Sequence, residues 1–150
     1  MKARAVALAV ASSLSPSAAP PQEPDGPSRV VAAAVSHIRP WLRSGPVVLD
    51  TVDFDRAALA AVARELRLRL GDAPRQGCRR HENCSLGGGA GVLDVTGARV
   101  AGDVAEVSLT LYRDHALPSH SWIRWTDVRV RLSRTPAGWR VTEAKVLRQS

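Results

Sequence analysis

From Val92 to Leu147 the chain alternates apolar and polar residues with a period of two. In Val104 to Tyr112, Ala105, Val107, Leu109 and Leu111 fall on one face, and Glu106, Ser108, Thr110 and Tyr112 on the other. Such a strand has one face in a core and one in water. Gly102 can adopt the positive φ that a three-residue hairpin Ala101-Gly102-Asp103 needs, so Val92 to Val100 is expected to pair antiparallel with the strand that follows. A third strand, Ser121 to Arg134, would run on the order of 45 Å if straight. Its apolar positions change phase, from Ile123 and Trp125 to Val128, Val130 and Leu132, and the closing strand passes from Trp139 and Val141 to Ala144 and Val146. A bulge near Arg124 to Asp127, and another in the last strand, would return these side chains to one face and curve the sheet strongly.

Upstream the spacing becomes helical. Ser28 predicts the N-cap of a helix from Arg29 to about Arg39, with Val31, Ala34, Val35, Ile38 and Leu42 in register. Pro40 would end or kink it, since its ring meets the carbonyl of Ser36, and His37 beside the stripe reads as a packing residue. Gly45-Pro46 then marks a turn before Val47 to Asp50, an edge or first strand. Asp53 or Asp55 can cap a helix from Phe54 to Leu70, on which Leu59, Val62, Leu66 and Leu70 stack, with Gly71 as its stop. This longer helix is the expected cover of the sheet. The fold class is therefore α+β, with one or two helices packed on a strongly curved antiparallel β-sheet, a cone-like roll.

The N-terminus changes where the domain begins. Residues 1–19 have the order of a secretory signal peptide: Lys2 and Arg4, an apolar run Ala5 to Leu14, then small residues ending in Ser17-Ala18-Ala19. The run is shorter than the roughly 20 apolar residues of a membrane span. Residues 20–27 carry four prolines and form a linker, so 28–150 is read as one domain of a secreted or periplasmic protein whose mature chain has no membrane span. Net charge is +7, falling to +5 without Lys2 and Arg4. Nineteen of the 21 basic residues are Arg, spread over every predicted element, a bias that GC-rich coding explains; nucleic acid is not an expected partner.

Candidate chemistry falls in two loops. Cys78 and Cys84 are the only cysteines, and in an oxidising compartment they are expected to pair. Closing so short a loop would stabilise by roughly 2 to 2.5 kcal/mol. The alternative, Cys78-x-x-His81-x-x-Cys84 as metal ligands, lacks a fourth ligand nearby. Gly87-Gly88-Gly89-Ala90-Gly91 lacks the ending a phosphate loop requires. The predicted hairpin loop Arg113 to Ser121 holds Asp114, His115 and His120, which could ligate a divalent metal or perform acid-base chemistry; the competing reading is a polar turn, because nothing else completes the set. Tyr112, Trp122 and Trp125 among Arg124, Arg129 and Arg131 are either a stacking surface or cross-strand pairs lining a core. No cofactor fingerprint and no nucleophile with a neighbouring base occurs, so no cofactor or metal is expected and no catalytic residue is assigned.

The segment Gly102-Asp103-Val104-Ala105-Glu106-Val107-Ser108-Leu109, a long strand after it, and the closing Gly138-Trp139-Arg140-Val141 resemble the hairpins of the nuclear transport factor two-like superfamily, with cystatin-like rolls as the near alternative. The resemblance implies a site in the cone between helix and sheet. That superfamily contains ketosteroid isomerase-like and polyketide cyclase-like enzymes beside many noncatalytic modules, and none of the enzymes' catalytic motifs occurs here. Two functions follow. One is an exported noncatalytic module that holds a small apolar ligand or contacts another envelope protein. The other is a small isomerase, cyclase or hydrolase with an acid or base in the cone. They separate on whether Asp94, Asp114, His115, His120, Asp127 or Glu143 points into a concave pocket that perturbs its pKa.

Overall fold

The computed structural model describes residues 26–42, 46–51, 53–71, 91–116 and 121–150; for 114–116 and 121–123 it describes the backbone. Helix α1 (Pro27–Ile38) leads through a single 3-10 turn, Arg39–Trp41, to strand β1 (Val47–Asp50). Helix α2 (Arg56–Glu65), β2 (Arg69–Leu70), β3 (Gly91–Ala101), β4 (Val104–Ala116), β5 (Ser121–Thr135) and β6 (Gly138–Gln149) follow. The strands form one sheet of order β2-β1-β3-β4-β5-β6. Both helices lie on one face of it, where their apolar side chains and those of β1, β3, β4 and β5 make a single core.

Helix α1 starts two residues earlier than the pattern predicts. Gly26 is the N-cap and Pro27 the first helical residue, a position where the missing N–H costs nothing and the fixed φ is already helical. Val30, Val31, Ala34, Val35 and Ile38 are all fully buried. Pro40 ends the helix as expected, and Leu42 closes the 3-10 turn by donating its N–H to the carbonyl of Arg39 at 3.0 Å. His37 is exposed, not packed.

Helix α2 is shorter than predicted. Asp55 is its cap, its carboxylate accepting the N–H of Ala58 at 2.6 Å. The helix stops at Glu65, not at Gly71, in a Schellman turn. There Arg67 sits at φ 52°, Leu68 N–H donates to the Ala63 carbonyl at 2.8 Å, and Arg67 N–H to Arg64 at 3.3 Å. The chain then re-enters the sheet as β2, parallel to β1. Gly71 serves a different purpose from a helix stop: a Cβ there would lie 2.5 Å from the Asp50 carboxylate. Its N–H donates to Leu49, and its carbonyl accepts from the Arg56 guanidinium.

The sheet is therefore mixed, not antiparallel. Strand β1 is interior, parallel to both β2 and β3, with α2 as the crossover that parallel neighbours require. Strands β3 to β6 form the expected antiparallel meander. Ala101 faces Val104, so the hairpin turn is Gly102-Asp103, two residues instead of three, with Gly102 at φ 60°. The sheet is open, ending at β2 and β6.

Three residues are bulged. Thr96 is extra in β3, and Thr142 and Leu147 are extra in β6. The carbonyl of Val95 beside the first bulge accepts the Thr51 hydroxyl at 2.8 Å, so the local break in the ladder leaves that group satisfied. The bulge predicted in β5 is absent: β5 pairs with β4 without interruption from Ser121 to Ser133. Its apolar phase changes because the strand buries both faces in turn. Val128, Val130 and Leu132 enter the main core, whereas Trp125 packs with Val48, Val92 and Tyr112 on the reverse face.

The main cover of the sheet is α1, which reaches β3, β4, β5 and β6, while α2 packs against α1 and the β1–β2 side. Ile38 is wholly buried in this contact and Leu66 only partly. Ile38→Ala is expected to cost about 2 to 5 kcal/mol, with Leu66→Ala costing clearly less; urea melts of the two variants decide it, and an equal loss would place the core under α2. In the same assay Arg67→Gly should stabilise by about 0.5 to 1 kcal/mol, because a side chain held at positive φ is strained and Gly is not. A loss of stability there would show that the Arg67 side chain contributes more than its backbone costs.

Candidate functional site

The reverse face of the sheet collects the polar side chains, and the strand register sets them in rows. Asp50, Asp94, Thr110, Asp127 and Arg148 lie abreast across β1, β3, β4, β5 and β6. Next along the strands come Gly97, Ser108, Arg129 and Lys145, then Arg99, Glu106, Arg131 and Glu143. On the other side of the Asp row is the apolar row Val48, Val92, Tyr112 and Trp125.

This face has a buried half and an open half. Val48, Asp50, Val92, Asp94, Thr110 and Tyr112 are all buried. Asp50, 3% exposed, accepts the Thr51 N–H at 2.9 Å and pairs with Arg56 at 3.5 Å, both through Oδ1, so its burial is compensated in part; Oδ2 has no hydrogen-bond partner among the described residues. Asp127 at the border accepts the Thr110 hydroxyl at 2.7 Å and the Arg148 guanidinium at 3.0 Å. Over the open half runs a charge ladder. Glu106 offers one oxygen to Arg129 at 3.5 Å and the other to Arg131 at 3.6 Å, and Arg131 reaches Glu143 at 3.2 Å.

Among the recesses of the described surface, one lies on each side of the sheet. One, of about 370 Å³, opens on the reverse face over the Thr96 bulge, among Thr96, Gly97, Arg99, Glu106, Ser108 and Arg129. The other, of about 660 Å³, lies between α1, α2 and the β5–β6 turn; its walls are mostly small, including Ser28, Ala32, Ala33 and Ala61, with Trp139 at one side.

The predicted site residues divide accordingly. Asp94, Asp127 and Glu143 are on the reverse face, not under the helices. Asp114 and His115 are not in a loop: the β4–β5 register continues through Asp114 opposite Ile123, His115 opposite Trp122 and Ala116 opposite Ser121. Strand pairing thus takes up most of the expected nine-residue hairpin loop. His120, Cys78 and Cys84 lie outside the described residues. Tyr112 and Trp125 form a cross-strand pair against Val48 and Val92, the core-lining reading of the aromatics. The reading of single residues missed the row Gly97, Ser108, Arg129. Its signal was the slip from Leu93 and Val95 to Ala98 and Val100 around Thr96-Gly97, a Gly inside a strand being a frequent bulge marker.

No family model matches the chain, and no curated protein matches its sequence. Among solved structures it is similar to an NTF2-like protein with a cystatin-like fold from Novosphingobium aromaticivorans, 23% identical over 81% of this chain and 73% of that one, with a TM-score of 0.35. A likeness of that size assigns no residue a role.

Proposed function

We propose that the protein is an exported, noncatalytic binding module whose working surface is the open half of the reverse sheet face. One observation carries this reading. The centre of the face under the helices is packed by the chain's own aliphatic side chains, with Val31, Val35, Ile38, Leu49, Leu59, Val62, Leu93 and Val107 all fully buried and the recess beside Trp139 lying at its margin, while Asp94, Asp127 and Glu143 stand on the opposite side. An acid or base serving a cone would need the reverse placement.

The open half suits a polar partner better than a small apolar ligand, and another envelope protein is the partner we favour. Its charges alternate in sign along the ladder, an arrangement that selects a complementary surface and not a uniform polyanion. Its side chains are also available. Arg131 is 57% and Glu143 49% exposed, and ion pairs so exposed contribute about 0 to 1 kcal/mol each, so exchanging them for a partner's groups costs little.

Crosslinkers placed in the native host at Arg131 or Lys145 should capture one envelope protein, and those at Ser36 on α1 should not. Capture from Ser36 alone would retire the reading. Export adds a second expectation: the mature chain begins near residue 20, and mass spectrometry without reductant finds Cys78 bonded to Cys84. Uncleaved cytoplasmic protein, or two alkylatable thiols, would overturn that part.

A further inference from the structure

The bulge in β3 leaves a hole in the open face. Val95 faces Leu109 and Gly97 faces Ser108, so Thr96 has no partner on β4. Gly97 and Ser108 then stand side by side where the adjoining row carries Arg99, Glu106 and Arg131, and two small residues among long ones leave the recess of about 370 Å³. That volume lies within the range of roughly 300 to 1,000 Å³ typical of ligand pockets.

The lining is rich in donors. Arg129 has its Nε shielded from solvent and without a hydrogen-bond acceptor, since Glu106 Oε1 at 3.5 Å makes an ion pair but not a hydrogen bond. A shielded donor left unmade costs free energy that an incoming acceptor would recover. Arg99 makes no ion pair among the described residues. Thr96 and Ser108 bring hydroxyls to the same recess. Glu106, the one acid in the lining, already divides its two oxygens between Arg129 and Arg131.

We propose that this recess binds an oxyanion, a phosphate or carboxylate group on a small molecule, held by the Arg129 and Arg99 guanidinium groups and by the hydroxyls of Thr96 and Ser108. Guanidinium groups meet such anions through paired, charge-assisted hydrogen bonds, and the floor at Gly97 gives the anion room to approach. The proposal rests on reading the open face as the binding face, and names one ligand chemistry for it.

Gly97 supplies a clean test. A Cβ there meets nothing within 4 Å, and its φ is not in the left-handed region, so Gly97→Val fills the recess without strain. The full chain is titrated with inorganic phosphate and, separately, succinate at constant ionic strength, following backbone amide shifts by NMR. Saturable shifts at Thr96, Gly97 and Ser108 are expected with at least one of them; phosphate alone would identify phosphoesters as the class, succinate alone carboxylic acids. Arg129→Gln should weaken binding roughly tenfold or more, as loss of a charge-assisted hydrogen bond implies. Gly97→Val should abolish it with the thermal midpoint unchanged, and Arg140→Gln, exposed and outside the recess, should leave it intact. No saturation by about 10 mM of either anion, or equal affinity in Gly97→Val, overturns the proposal. Absent saturation with crosslinks still arising from Arg131 would fault the recess alone, and saturation with crosslinks only from Ser36 would fault the module reading alone.

Discussion

Everything in this fold hangs on α1 lying across the sheet. Its five fully buried aliphatics, Val30, Val31, Ala34, Val35 and Ile38, meet Leu93, Val95, Leu109, Val128 and Val130, themselves almost wholly removed from water. Each full burial of a Val, Ile or Leu stabilises by roughly 1.5 to 3 kcal/mol, against a total stability of about 5 to 15 kcal/mol for a domain. That contact therefore determines which face of every strand is apolar. With the front committed to α1 and α2, alternation sends Glu106, Ser108, Arg129, Arg131 and Glu143 to the reverse, and the position of any functional surface follows from packing on the other side.

A second constraint fixes the β1–β2 end. The Asp50 carboxylate, Arg56 and the backbone of Gly71 interlock three successive segments: the end of β1, the start of α2 and the residue after β2. Only a residue without Cβ fits against Asp50. Thr51 extends the lock, donating to Val95 and accepting from the N–H of Phe54 at 2.7 Å. The bulge at Thr96 thus sits next to an anchored carbonyl, and the recess it opens has one rigid side.

How legible each part was depends on how long its pattern runs. Strands β3 to β6 have 11 to 15 residues each, enough for a period of two to declare itself, and α1 carries a full helical stripe. Strand β2 has two residues and no period at all, so Leu66 to Leu70 looks like more helix, because leucines four apart fit a helix as well as they fit a turn and a strand. The positive φ of Arg67 is equally invisible, since Arg is not a residue that announces a Schellman turn. For β1, a run of three apolar residues ahead of Asp50 cannot show whether its neighbours are parallel. The Thr96 recess is illegible for a different reason: it is built from a Gly, two hydroxyls and arginines that each look ordinary alone, and a polar run such as Arg113 to Ser121 does not show that strand pairing continues through Asp114 and His115.

The edges of the sheet bear on where a partner could bind. A sheet can also bind by adding a strand, and β6 is a long edge with Val146 and Leu147 about four-tenths exposed. Yet β6 is bulged at Thr142 and again at Leu147, leaving four regular residues between the two, and it carries Arg140, Lys145 and Arg148. Bulges and basic side chains on an edge are the devices by which sheets resist strand addition. The opposite edge, β2, is two residues long and offers almost no ladder to extend. With both described edges ill suited to strand addition, the reverse face offers an accessible and chemically diverse surface where the Arg129, Glu106 and Arg131 ladder borders the Gly97 recess.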